Sequence, residues 1–183
     1  MSRGAPPRPP GALRAGRRTT GSLVADHAAQ GVVTRGVLLE LAPNGGSLDA
    51  DHRVGGAELD AALDRAGTSV HPGGAVVVRG GWDVNQPMTQ PVPGLDLSAV
   101  EWLDEHGAAL YVGDVSDARP ASFPMPTHQV ALARLGLPLV DAAALDELAD
   151  RCASLRRWSF MLVLALPRIT GTTGLAVHPL AIF

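Results

Sequence analysis

The chain is predicted to fold as an α/β domain. Val- and Leu-rich runs suited to buried strands alternate with segments whose apolar residues recur at helical spacing, and glycines close several of those segments. Of its 183 residues 46% are hydrophobic, 18% charged and 4% aromatic, a globular composition whose core must be built mostly from Val, Leu and Ala. A domain of this length buries most of the surface that its unfolded chain exposes. No repeat at a fixed period occurs.

Residues 1–30 open with "MSRGAPPRPPGALRAGRRTTGS", rich in Pro, Gly and Arg and without an apolar period. Such a segment buries too little surface to offset its ordering entropy, so a disordered tail is expected, followed by one domain over residues 31–183. Three origins stay open: a solvated tail, a basic transit-like or polyproline segment built on "PPRPP", or the remnant of something displaced.

The first strand is "GVVTRGVLLELA", nearly continuous in apolar residues, as a strand buried on both faces would be. After the loop "GGSLDADHRVGG", a helix is expected over "AELDAALDRAG", with Gly67 as its C-cap. "GGAVVVRGGW" is a second buried strand and "NQPMTQPVPG" a loop. "LDLSAVEWLDEHG" is a helix started by Asp96 or Ser98, with Ser98 and Glu101 spaced as a capping box, and ended by Gly107. "AALYVGD" is a strand, "THQVALARLG" a helix stopped by Gly136, and "LPLVD" a short strand. In "AALDELADRCASL", Leu145, Leu148 and Cys152 form one apolar stripe. A strand of at least seven residues lies in "RRWSFMLVLALPRI".

Charge and composition exclude several functions. Residues 1–20 hold five arginines and no acid, which leaves ten arginines against 18 acids, or −8, for the rest. That balance argues against a nucleic-acid partner, because phosphate neutralisation requires clustered positive charge. The longest apolar run, Phe160 to Leu166, is far shorter than the roughly 20 residues a membrane span needs, so no membrane role is expected. The single cysteine, Cys152, forms no internal disulfide and offers no paired-thiol metal site, so a reducing, cytoplasmic location is expected. On its apolar stripe Cys152 is expected to pack rather than react.

Local catalytic motifs are absent. The histidines, at 27, 52, 71, 106, 128 and 178, never fall within five residues of one another, so no HxxxH or HExxH ligand pair exists. "DADH" (Asp49 to His52) superficially suits a hard cation but lacks the remaining donors of a calcium loop. No GxSxG or GxGxxG occurs, and with no lysine in the chain there is no P-loop. His128, at the start of a helical segment, and Asp141, after the next apolar run, remain either as a solvent-facing pair or as half a metal site.

Six blocks in order resemble the cyclase family of metal-dependent hydrolases, which includes bacterial kynurenine formamidase. They are "VVTRGVLLELA", "PGGAVVVRGGW", "PGLDLSAVEWLDEHGAAL", "PTHQVALARLGLPLVD", "RRWSFMLVLALPRITGTTG" and "VHPLAIF", and they span Gly31 to Phe183. The resemblance implies a swivelling β/β/α fold. It also implies hydrolysis of a small-molecule amide of the N-formylkynurenine type by water held on a divalent metal, Zn or Mn, in an oligomer of identical chains. It places His128 and Asp141 at two of the family's metal ligands, Asp141 standing where glutamate is common. The family's other ligands lie in an N-terminal HxGTHxDxPxH, whose last histidine also serves in proton transfer, and that motif does not occur in this chain. Gly74, Gly80 and "GLAVHP" also depart from the family pattern. The expectation is therefore the C-terminal two thirds of the family fold, N-terminally incomplete through a shifted frame or a late start codon, with weak metal affinity and little turnover. The alternative is a non-catalytic interaction subunit on the same fold.

Overall fold

The computed structural model describes residues 31–42, 44–85, 91–120, 125–167, 169 and 172–183. The expected tail, residues 1–30, and residues 86–90 of the loop beyond Asn85 lie outside the described residues. The elements run β1 (Val32–Glu40), β2 (Arg53–Val54), α1 (Gly56–Ala66), β3 (Ala75–Arg79), β4 (Gly94–Leu95), α2 (Leu97–Glu105), β5 (Leu110–Gly113), β6 (Ser116–Asp117), α3 (Thr127–Leu135), β7 (Leu139–Val140), α4 (Asp146–Leu155), β8 (Ser159–Leu164) and β9 (Leu180–Ile182).

The order within the main sheet is β7-β5-β3-β1-β8-β9. Strands β1, β3, β5 and β7 are parallel, and β8 and β9 continue the sheet in antiparallel fashion. Each of the first three crossovers contains a two-residue strand followed by a helix. Those strands, β2, β4 and β6, pair with one another as a small parallel sheet. Repeated βαβ crossovers of this kind hold a parallel sheet between layers.

Two cores flank the main sheet, and the strand period of two decides which residue enters which. Val37, Leu39, Val76, Val78 and Tyr111 face a core shared with Leu59, Val100, Leu103 and Val130 of α1, α2 and α3. Leu38, Ala75, Val77, Leu110 and Val112 face the other core, shared with Leu145 and Cys152 at α4 and with Phe160 and Leu162 of β8. The continuous apolar runs were the signal of this double burial. The expectation fails for the first half of β1, where Val33 is 68% exposed opposite Val163 of β8.

The helix boundaries follow local chemistry. Gly67 and Gly136 take left-handed conformations after α1 and α3, which glycine adopts without a Cβ clash. At α2 the Asp96 carboxylate caps Ser98 N and Ala99 N, while Ser98 Oγ donates to Asp96 and accepts from Gly56 N, so the Ser98–Glu101 capping box does not form. Ser98 is diverted into tying α2 to the start of α1. Helix α3 is a π-helix, with Gly136 N donating to Ala131 O five residues back. Such turns are rare and concentrate at functional sites. Strand β8 has six residues rather than seven, ending before Pro167, whose ring removes a ladder donor.

Buried Arg79 joins the carboxyl ends of β1 and β3 to the first turn of α4. Its guanidinium donates to Glu40 Oε1 at 2.6 Å, to Asp146 Oδ1 at 2.9 Å and to Ala42 O at 3.1 Å.

The small sheet depends on close backbone approach at Gly94. A Cβ there would lie 2.6 Å from the Asp117 carbonyl carbon of β6 and in still closer conflict with Ala118 N, neither of which is a flexible side-chain end. Gly94→Ala is expected to cost about 1–3 kcal/mol in urea denaturation, the range for overpacking. Gly174→Ala, which meets nothing within 4 Å, should stay within about 0.5 kcal/mol. Equal losses for the two variants would contradict this packing.

Candidate functional site

Parallel strands present their carboxyl ends, with the loops that follow, as the usual ligand face of an open α/β sheet. Here that face gathers the turn after β3, the turn and short strand after β5, and the residue after β7. Asp114, just past β5, accepts hydrogen bonds from Gly80 N at 2.7 Å, Gly81 N at 2.8 Å and Trp82 N at 3.2 Å. One buried carboxylate thus fastens two loops together. Gly81 suits the bend, with φ +69° and its α-carbon packed against the Gly46–Ser47 backbone. Burial pushes the Asp114 carboxyl up to about 6, against the pull of the Gly80 and Gly81 amides and of Arg79.

Three residues further, Asp117 of β6 reaches the start of α3. Its Oδ1 accepts from Thr127 N at 2.7 Å and its Oδ2 lies 2.5 Å from His128 Nδ1. On the other edge of the ring, His128 Nε2 is 3.0 Å from Asp141 Oδ2. Asp117 is buried at 6% exposure, whereas the His128 and Asp141 side chains remain about one third exposed. The imidazole is therefore held from behind by an enclosed carboxylate and meets the second at an opening to solvent. Burial pushes the Asp141 carboxyl up; His128 opposes that shift and Asp117 adds to it.

This arrangement imposes a proton count. A neutral imidazole has one N–H, and the bond to Asp117 uses it at Nδ1. Nε2 and Asp141 Oδ2 would then face each other with lone pairs, so their approach to 3.0 Å calls for a positive charge between them. A proton can fill that role, and so can a divalent cation. Tetrahedral zinc with ligand bonds of about 2.0–2.2 Å holds two donors roughly 3.4 Å apart. The pair therefore needs to open by only a few tenths of an ångström, and imidazole with carboxylate is a suitable donor set. In this respect His128 and Asp141 fit two positions of a metal site. Among the described residues no cluster of three or more His, Cys, Asp or Glu side chains converges on one point.

The other residues singled out in the sequence are placed elsewhere. His52 pairs with Glu58 of α1 at 2.9 Å, so the Asp49–His52 loop has spent its imidazole on a structural contact. His106 stacks on Trp102 with ring centroids 3.8 Å apart and donates from Nδ1 to Trp102 O at 2.9 Å. His178 is exposed, and His27 lies outside the described residues. Cys152 is fully buried, and burial pushes its thiol up to about 11, in keeping with packing rather than nucleophilic reactivity. Sequence reasoning missed Asp114 and Asp117. Their signal was "GDVSD", two carboxylates three residues apart, the first closing a predicted strand and the second just beyond it, shortly before His128.

Comparison with known proteins agrees with this architecture. Residues 11–118, more than half of the chain, match the family profile described as "Putative cyclase"; the match includes Asp114 and Asp117 and ends before His128. No curated protein sequence matches. A crystal structure described as a novel cyclase is 28% identical, with TM-score 0.68 over 81% of this chain and 53% of its own. An isatin hydrolase bound to the product analogue thioisatinate is 20% identical, with TM-score 0.70 over 90% of this chain and 65% of its own. Isatin hydrolase A from Ralstonia solanacearum is also 20% identical, with TM-score 0.65 over 90% and 65%. This chain thus spans about half to two thirds of the length of these structures. A further fold relative, 13% identical with TM-score 0.59 over 86% of this chain and 67% of its own, is described as a potential metal-dependent hydrolase with cyclase activity. Among the described residues no helix is long and apolar enough to cross a membrane.

The raised Asp114 carboxyl makes stability pH-dependent with a definite sign. Its ordinary value is 3.8 and its folded value about 6, so between them the folded state binds more protons than the unfolded state. Stability relative to Asp114→Asn should therefore fall as pH rises through that window, by on the order of 2–3 kcal/mol, and level off above it. Urea denaturation of both proteins across the window checks this; a difference that rises with pH would show that the three amides outweigh burial.

Proposed function

The chain belongs to the cyclase family, and from that premise we propose that it carries part of the active site of a metal-dependent hydrolase acting on an amide. The observation behind this reading is the separation of 3.0 Å between His128 Nε2 and Asp141 Oδ2 at the carboxyl ends of parallel strands. His128 and Asp141 would hold zinc or manganese, with Asp117 behind the imidazole and Asp114 bracing the neighbouring loops. A divalent ion bound there supplies Lewis acidity, which lowers the pKa of its water to about 7 and polarises a carbonyl oxygen.

The proposed substrate class is a small linear or cyclic amide, with an N-formyl aryl amine as the kynurenine-formamidase-like case. Solved relatives named isatin hydrolases favour a carbonyl next to nitrogen, since isatin is itself a cyclic amide. Two protein donors compete poorly with water for a divalent ion. The remaining ligands would come from another segment or from a second copy of the chain, so a homo-oligomer is part of this reading. A second reading is a non-catalytic interaction subunit. It is favoured by the count of two donors among the described residues and by the pairing of both His128 nitrogens with carboxylates.

Metal analysis by inductively coupled plasma after dialysis, with a formamidase assay on the same sample, separates these outcomes. The polypeptide by itself should retain less than one equivalent of metal and turn over slowly. His128→Ala should weaken zinc binding by more than the roughly 10–100-fold that loss of an outer-shell partner costs. Stoichiometric zinc with rapid cleavage of an N-formyl aryl amine, unaffected by His128→Ala, would show that the ligands lie elsewhere. Light scattering tests the homo-oligomer.

A further inference from the structure

We infer that Asp117 is a positioning residue that sets the tautomer of His128 and so presents the Nε2 lone pair at the opening beside Asp141. The inference rests on the ligand reading of His128 for its use in the reaction, but its geometry stands independently. Both Asp117 oxygens are committed: Oδ1 to Thr127 N at 2.7 Å and Oδ2 to His128 Nδ1 at 2.5 Å. Because Thr127 and His128 are adjacent at the start of α3, the same carboxylate grips the backbone and the imidazole of one turn. Its own backbone is fixed by the small sheet, where Asp117 is paired with Leu95 and packed against Gly94. Both ring nitrogens face a carboxylate, but the buried Asp117 Oδ2 approaches Nδ1 to 2.5 Å while the part-exposed Asp141 Oδ2 stays 3.0 Å from Nε2, so in the neutral ring the single proton is assigned to Nδ1 and Nε2 is left as the acceptor. Metal-ligating imidazoles almost always donate their other ring N–H to a carboxylate, carbonyl or water, and Asp117 stands in that place behind His128.

Thr127 N makes this testable by a single substitution. In Asp117→Asn the Thr127 N–H still needs an acceptor, so the carboxamide oxygen must stay on that side and its NH₂ must face His128 Nδ1. Nδ1 then has to accept, and the ring proton moves to Nε2. An Asp→Asn change behind a catalytic histidine imposes the wrong tautomer in the same way while leaving the geometry intact.

The experiment is long-range ¹H–¹⁵N correlation spectroscopy of the full chain, labelled at histidine and free of metal, with the pH raised until the His128 ring carries a single proton. His128 should carry its proton on Nδ1 in the native sequence and on Nε2 in Asp117→Asn. His106, whose Nδ1 donates to Trp102 O at 2.9 Å, should keep its Nδ1 proton in both proteins and serves as an internal standard. A companion titration with cobalt(II) should show binding about 10–100-fold weaker in the variant. A tautomer switch with unchanged cobalt affinity would uphold the positioning role and overturn the ligand assignment. An unswitched ring in a folded variant would overturn the positioning role. So would an Nε2–H ring in the native sequence, whether or not the variant folds.

Discussion

His128 Nε2 and Asp141 Oδ2, held 3.0 Å apart, form the constraint around which the rest of this face is arranged. Unless a positive charge lies between them the contact is repulsive, so the fold has to hold both groups in place by other means. Asp141 is held by its position directly after β7. His128 is held by the Asp117 carboxylate, which grips Nδ1 and the helix start together. What distinguishes this arrangement from a structural histidine such as His106 is a carboxylate within hydrogen-bond distance of each ring nitrogen; His106 stacks on Trp102, bonds its carbonyl through Nδ1, and has Nε2 4.0 Å from Asp60 Oδ1.

Support for that constraint comes in layers. The parallel strands supply a common edge, and the buried carboxylate of Asp114 fixes the turn after β3 against the turn after β5 through three backbone amides. The miniature sheet of β2, β4 and β6 sets where β6 emerges, and with it Asp117. The close approach at Gly94 therefore bears on the site even though Gly94 touches neither His128 nor Asp141. Arg79 performs a comparable service on the other side of the main sheet, joining Glu40 and Asp146 so that α4 is docked at the ends of β1 and β3.

Much of this was legible in the sequence where a periodic signal had length. The Val and Leu runs of β1 and β3, the stripe of Leu145, Leu148 and Cys152, and the glycines after α1 and α3 each carry local information about burial or backbone sign. The family and the α/β class were legible as well, through the ordered blocks between Gly31 and Phe183. The three two-residue strands were not, because two residues define no period and their pairing is made between segments some 20–40 positions apart. For the same reason Asp117 went unnoticed: its contact with His128 crosses a loop of irregular sequence. Nor does a helix written "THQVALARL" announce its π winding, since apolar spacing in one short turn suits either form.

The most direct test of the central claim is zinc K-edge X-ray absorption on this polypeptide with zinc added below one equivalent. The account predicts a shell of nitrogen and oxygen donors at about 2.0–2.2 Å, with imidazole scattering that disappears in His128→Ala. A spectrum unchanged by that substitution, or one containing sulfur at about 2.3 Å, would contradict it.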